Sequence, residues 1–396
     1  MMKREDGFTL VELIITLTMT VLFLTAVSTI FTNLLTQFKQ QGKIAESNIE
    51  GVIGLEIMRQ SIESAGYGLP WDLQGINYNE AVNDPNTPWD DTALNDAPNI
   101  PAALRSKPQV SMNGSSDVLS VKSVSVAQNS TSQTWTELAV GNAKKNGLSG
   151  SSFAGPELVT VLYATLNSLG LPTRVLIHDK NSNWSATYSN TLLLAPGPDP
   201  NGVGASTVAA AYPEIGVANT LSVFILYGID PGTSVATLRM PFNRADFYVR
   251  TLTPANLPAR CAPGTGVLYK GVINHSDGTL SELPLLDCVA AMHVTFYVDN
   301  SLNNDGTSLQ YTGDVSVYDA ANIRTRVKEV RVYILAQEGQ RDLSYTYPNS
   351  NVTLANPLAV PPDPGPSQVV DMTKITNYQN YRWKQYTMVV RPSNLR

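Results

Sequence analysis

Residues Leu13 to Phe38 carry no charged side chain. As a helix, this run of 26 residues would span about 39 Å at about 1.5 Å per residue, and a bilayer core needs roughly 20 apolar residues. The run contains several Thr, whose hydroxyls a helix can return to its own carbonyls. Apolar positions then continue at helical spacing through 39–66. Ile49, Ile53 and Ile57 follow at four-residue steps, and Val52, Leu55, Met58 and Ile62 widen the stripe. The pattern predicts one helix from Phe8 to about Ser64, near 85 Å long. Its second half has a broad stripe without heptads, so it is expected to pack on a sheet rather than form a free stalk. Gly42, Gly51 and Gly54 each weaken such a helix by about 1 kcal/mol relative to Ala and are expected to mark bends or local melting. Ala65-Gly66-Tyr67-Gly68-Leu69-Pro70 supplies a left-handed stop and then Pro.

Beyond the helix the pattern changes period. Residues 71–110 are rich in Asn, Asp and Pro and read as loop. Strand-like runs follow at 117–126, 157–166, 173–178 and 220–229, and further strands are expected at 266–273, 289–298, 327–336 and 383–391. The stretch 355–368 is Pro-rich and reads as an extended loop. The expected class is α+β: a long N-terminal helix, half membrane-spanning and half packed, with a large antiparallel β-rich head. No internal repeat is evident.

Composition narrows the possibilities. Of 396 residues only 15% are charged, and 27 Lys+Arg against 33 Asp+Glu leave a net charge of −6. A broad nucleic-acid-binding face would need a basic excess. Two Cys rule out a disulfide-dense scaffold and an all-Cys metal cluster. His178, His275 and His293 stand apart, without paired ligand spacing, and no phosphate loop or G-x-S-x-G elbow occurs. No enzyme is expected, and no cofactor.

Two ordinary readings of the N-terminus fall short. A secretory signal peptide has an apolar core of about 7–15 residues and a small-residue cleavage site, and this run is longer and lacks such a site. A plain membrane anchor leaves Glu12 unexplained, because a carboxylate in an apolar segment is costly; snorkelling to the headgroups is its bland alternative. Gly7-Phe8-Thr9-Leu10-Val11-Glu12, after a short polar leader, resembles the type IV prepilin cleavage and methylation motif. The resemblance implies cleavage between Gly7 and Phe8 by a prepilin peptidase on the cytoplasmic side, N-methylation of Phe8, and retention of the helix in the membrane until assembly. It also implies a role for Glu12 as the assembly contact. The new amine of one subunit would meet the Glu12 carboxylate of its neighbour, and each would neutralise the other in an apolar bundle.

Later stretches extend the likeness. Met58-Arg59, Ala65-Gly66-Tyr67, Cys288, Val294–Asp299, Val327–Tyr333 and the closing Thr387–Leu395 are similar to minor pilins of the PilW type, which are related to the large minor pseudopilin of type II secretion. The division that follows is 1–7 leader, 8–38 transmembrane and assembly half, 39–70 helix packed on the head, 71–215 β-rich lobe or insertion, and 216–396 C-terminal head. A head outside the inner membrane would lie where disulfides persist, so Cys261 and Cys288 are expected to pair, two separate buried thiols being the alternative. Asp299, Ser301, Asn303 and Asp305 place oxygen ligands on alternate positions before Gly306. That spacing suits either a weak Ca²⁺ loop or an Asn/Asp-rich hairpin turn.

Three functions fit. One is a minor pilin that initiates or caps a type IV pilus, another a tip adhesin or binding module carried by 71–215, and the third a type II secretion pseudopilin at the pseudopilus tip. Expected partners are the prepilin peptidase, other pilins and minor pilins, the inner-membrane assembly machinery and the membrane itself, but no nucleic acid. The expected location is the inner membrane, single-pass, with the head in the periplasm and later on the pilus or cell surface.

Overall fold

The computed structural model describes residues 9–69; 78–128 apart from 86, 88 and 112–115; strand backbones at 135–139, 158–166, 172–179 and 223–229; and 239–395 apart from 241, 276, 302–304 and 355–365. Helix α1 (Leu10–Glu63) runs 54 residues. Thr9 caps its start, and at its end Gly66 adopts φ +81 while its N–H donates to Lys122 O at 2.9 Å. The expected Thr back-bonding is present: Thr18, Thr20, Thr25 and Thr29 donate to carbonyls four residues earlier at 2.7–2.8 Å.

The head is built on one eight-stranded antiparallel sheet. Its path is β1 (Leu104–Ser111), β2 (Ser116–Ser123), β7 (Asn243–Thr251), β8 (Gly266–Ile273), β9 (Leu280–Asp299), β11 (Val327–Glu338) and β14 (Arg382–Val390), with β10 (Leu309–Thr312) paired to β9. Strands β3 (Trp135–Ala139), β4 (Leu158–Leu166), β5 (Pro172–Asp179) and β6 (Val223–Ile229) form a separate four-stranded sheet in the order β3-β6-β4-β5. A hairpin of β12 (Asn351–Leu354) and β13 (Gln368–Asp371) and a short helix α2 (Ala320–Arg326) complete the head.

Met58 and Ile62 of α1, and Ala65 just past its end, enter one core cluster with Leu119, Phe247, Leu268, Met292, Val294, Val332 and Ile334. The alternate residues Tyr333 and Leu335 face the other way, onto Leu354 and Val370 of the small hairpin, and onto Met372 and Tyr381. The sheet is therefore covered on both faces at its β9–β11 centre, and period-two alternation serves two cores.

The helix meets the sheet differently from the stripe's forecast. Ile49, Val52 and Ile53 are exposed, and the packed face instead carries Gly51, Gly54, Met58, Ser61 and Ile62. Gly51 and Gly54 do not melt the helix: α1 is continuous through both. A Cβ on Gly54 would lie 1.8 Å from Leu285 O, so the missing side chain lets the helix touch β9 backbone to backbone.

The sheets also cut across the expected 71–215 and 216–396 boundaries. β1 and β2 belong to the main sheet, with Leu119 opposite Phe247, whereas β6 pairs with strands on its N-terminal side. Pairing over such a sequence distance leaves no local signal. The Pro-rich loop 355–368 falls mostly outside the described residues, and His178 has only its backbone described.

Candidate functional site

Every described side chain from Leu10 to Lys39 is exposed, and none of the described residues of the head packs on this half of α1. By length and composition it is a helix able to cross a membrane. Gly7 and Phe8 lie outside the described residues. Glu12 lies within them, and its carboxylate is held by its own helix start. Thr9 N–H and Thr9 Oγ1 both donate to Glu12 Oε2 at 3.0 Å, and Glu12 N–H donates back to Thr9 Oγ1 at 3.3 Å. This is a capping box, and Thr9-x-x-Glu12 is its sequence signature. Thr9 was not among the residues expected to matter, although that signature alone would have shown it.

Cys261 and Cys288 are joined, with Cα atoms 4.9 Å apart. The bond ties the loop before β8 to β9 three residues beyond Leu285, where α1 touches the sheet. Cys288 itself has φ +58, a left-handed residue within the strand.

Asp299 and its loop close as a hairpin turn between β9 and β10. Asp299 Oδ1 accepts from Ser301 N–H at 2.9 Å and Ser301 Oγ at 2.6 Å, and Oδ2 accepts from Gly306 N–H at 2.7 Å. Asp305 N–H donates to Ser301 Oγ at 2.9 Å, and the Asp305 carboxylate accepts from Thr307. Asn303 lies outside the described residues. No group of three His, Cys, Asp or Glu able to hold a metal occurs among the described residues. His275 is buried and lies 3.2 Å from Asn243 Oδ1; burial first, then Arg239, depresses its pKa to about 3, so it is neutral. His293 is buried against Asp117 at 2.8 Å.

One feature of the head has no counterpart in local sequence. Lys122 Nζ lies 2.6 Å from both Glu80 and Asp96, Arg244 bonds Glu80 at 3.0 Å and Asp246 at 2.7 Å, and Arg105 bonds Asp96 at 2.7 Å. Lys122, Arg244, Glu80, Asp96 and Asp246 are all buried. The network fastens the loop 78–103 to β2 and β7. Burial would raise Asp96, but Lys122 and Arg105 outweigh it and hold its pKa below the usual range. Nearby Asp91 has no ion pair at its carboxylate among the described residues, and burial chiefly pushes its pKa up to about 6 against the weaker pull of Arg244.

The prokaryotic N-terminal methylation motif matches residues 2–28. No curated protein matches the sequence. Among solved structures, a type IV-like pilin from Thermus thermophilus aligns at 14% identity over 42% of this chain and 75% of that chain, with a TM-score of 0.23. The chain thus carries the N-terminal methylation motif at the start of a long apolar helix, ahead of an antiparallel β head. The motif with its helix fits a membrane-anchored chain.

Proposed function

We propose that this chain is a minor type IV pilin, a structural subunit that helps initiate or cap a pilus. The observation that carries the reading is a methylation motif on residues 2–28 joined to a helix half whose described side chains are exposed. Such a half is costly in water and is covered either by lipid or by the same helices of other subunits. In this reading a prepilin peptidase cuts between Gly7 and Phe8 and methylates Phe8. The head then stands in the periplasm, and the helix leaves the bilayer for a bundle of pilin helices, handed over by the inner-membrane assembly machinery. Mass spectrometry of the mature N-terminus tests it: N-methylated Phe8 is expected, and a chain still beginning at Met1 refutes it. Gly7→Leu should leave the uncut precursor in the membrane.

A second role is supported by the sheet pairing. β2 and β7 are adjacent partners, so the segment between them, with its own four-stranded sheet, is an excursion from the main sheet. Such an addition suits a binding module at a filament tip, where bulk need not be tiled into a shaft. Replacing 129–238 by a short Gly-Ser turn should leave pilus number intact and abolish surface attachment; unchanged attachment would remove this role.

A further inference from the structure

We propose that Lys122 and Glu80 condense into a side-chain amide, a covalent tie between the loop 78–103 and β2, with Asp96 as the proton carrier. The amine lies between two carboxylates. Lys122 Nζ stands 2.6 Å from Glu80 Oε2 and donates to Asp96 Oδ2 at 2.6 Å. Leu94 O accepts a further hydrogen bond from Nζ at 3.1 Å and fixes its direction. All three side chains are buried, Lys122 and Glu80 completely. The Glu80 carboxyl carbon is one bond from the oxygen that the amine touches. Its other oxygen, Oε1, accepts two consecutive backbone N–H groups, from Asp96 at 2.7 Å and Ala97 at 3.2 Å. Donors aimed in this way stabilise an oxyanion as it develops.

The chemistry balances within these three side chains. Asp96 takes one proton from the Lys122 ammonium, and the free amine attacks Glu80 Cδ. The Nζ–Cδ bond forms, negative charge gathers on Oε1 against the two backbone amides, and the Cδ–Oε2 bond breaks. Oε2 leaves as water with two protons that both began on Nζ, one of them returned by Asp96. One ammonium and one carboxylate become one amide and one water, and Asp96 ends ionised as it began. Burial favours the exchange, because a desolvated ion pair is costly whereas an amide carries no charge, and because the water that would reverse it is kept out. The reacting groups are already held together, and a bond made once per chain needs no fast base. The charges left behind select Glu80 over Asp96 as the acyl partner. With Glu80 consumed, Arg244 keeps Asp246 at 2.7 Å and Arg105 keeps Asp96 at 2.7 Å. With Asp96 consumed, Arg105 would lose that carboxylate.

Tandem mass spectrometry tests the bond on the full chain, purified from cells, denatured, reduced and cut with trypsin. Trypsin cuts after Lys122 only while its amine is free. A chain without the bond yields fragment 60–105, which holds both Glu80 and Asp96, and fragment 106–122. The bond instead joins 60–105 to a fragment that runs through the uncut Lys122 to Lys144, and the product is lighter than the two together by one water. That product, with fragment ions placing the branch at Glu80, is the expected result. Recovery of 60–105 and 106–122 as separate fragments overturns the proposal, and a branch at Asp96 overturns it as well. Lys122→Arg keeps the charge without a free amine and should give no branch. Asp96→Asn keeps the amine and Glu80 but removes the carrier, so the branched fraction sampled early after synthesis should fall by about tenfold or more. The Cys261–Cys288 bond, checked before reduction, reports that each variant has folded. An unchanged fraction in folded Asp96→Asn refutes the role of Asp96.

Discussion

Gly54→Ala should loosen the helix from the head, although Ala is the better helix former. On helix propensity alone the change is worth about 1 kcal/mol in favour of folding. The added Cβ, however, would sit 1.8 Å from Leu285 O, 2.6 Å from Leu285 C and 3.0 Å from Leu285 Cα. These are backbone atoms of β9, whose next residues carry the disulfide, so they have little room to yield. A carbon normally stands about 3.3–3.6 Å from a carbonyl oxygen, and the helix must retreat by more than about 1 Å. Such a gap forfeits a quarter to a half of the contact energy of each facing side chain. Met58 and Ile62, both fully buried, bear most of it. Overpacking costs about 1–3 kcal/mol, and the lost contacts add about 1–3 kcal/mol. After the propensity gain, the net loss is about 1–5 kcal/mol. The assay is denaturant unfolding of the detergent-solubilised full chain, followed by near-UV circular dichroism of its Tyr and Trp. Gly42→Ala is the control, because a Cβ there meets nothing within 4 Å, and it should stabilise slightly. If Gly54→Ala proves as stable as Gly42→Ala, the close approach of helix and strand is refuted.

The other predictions concern buried charge and the disulfide. Lys270 is buried between α1 and the sheet, bonded to Ser61 Oγ at 3.2 Å and Gln128 Oε1 at 2.9 Å, and burial lowers its pKa to about 8. The unfolded chain keeps that proton to about pH 10.4, so stability should rise between pH 8 and 10.4 by about 3 kcal/mol. Lys270→Met should flatten that rise and stabilise the head at pH 7; an unchanged slope would show that Lys270 does not titrate in the fold. Asp91, raised to about 6, works in the opposite sense. The folded state holds its proton better than the unfolded one, so stability should fall as pH rises from about 4 through 6. Asp91→Asn should remove that fall and gain about 2 kcal/mol at pH 7; equal pH profiles in urea titrations would refute the assignment. Replacing both Cys261 and Cys288 by Ser should cost about 2–5 kcal/mol, read as a lower urea midpoint, and no change would mean that the bond contributes nothing to the head.

How far the sequence foretold this depends on distance along the chain. The apolar run from Leu13 to Phe38 and its Thr back-bonding are local, and α1 lies within two residues of its expected ends. Strands at β4, β5, β6, β8, β11 and β14 coincide closely with their β-branched runs. β7 was missed because Asn243, Arg244 and Asp246 break its apolar pattern, yet those polar side chains are buried and satisfied, Arg244 by Glu80. β1 was missed for a related reason: Arg105 bonds Asp96, and Pro108 interrupts the run at a sheet edge, where Pro is tolerated. The glycines were misread from the same limit. Helix propensity counts Gly54 as a defect, whereas its value lies in a strand more than 200 residues away.

These misses share one cause, and it bears on how the molecule is built. The apolar first half of α1 is exposed among the described residues, so its neighbours in sequence suffice to specify it. Its other half is held by a glycine contact with β9 and by backbone bonds at its end, Gly66 N–H to Lys122 O at 2.9 Å and Ser393 N–H to Glu63 O at 3.0 Å. Those contacts come from β2, β9 and the C-terminal segment, so the helix is locked only once the whole sheet has closed. A chain made this way carries an exposed apolar helix half at one end while the fold of the other end sets how rigidly that half is held. Pulling on the helix would load the Leu285 contact and the two bonds at its end, which lie on both sides of the sheet's β9–β14 half. The force is then shared by several strands rather than drawn through one turn.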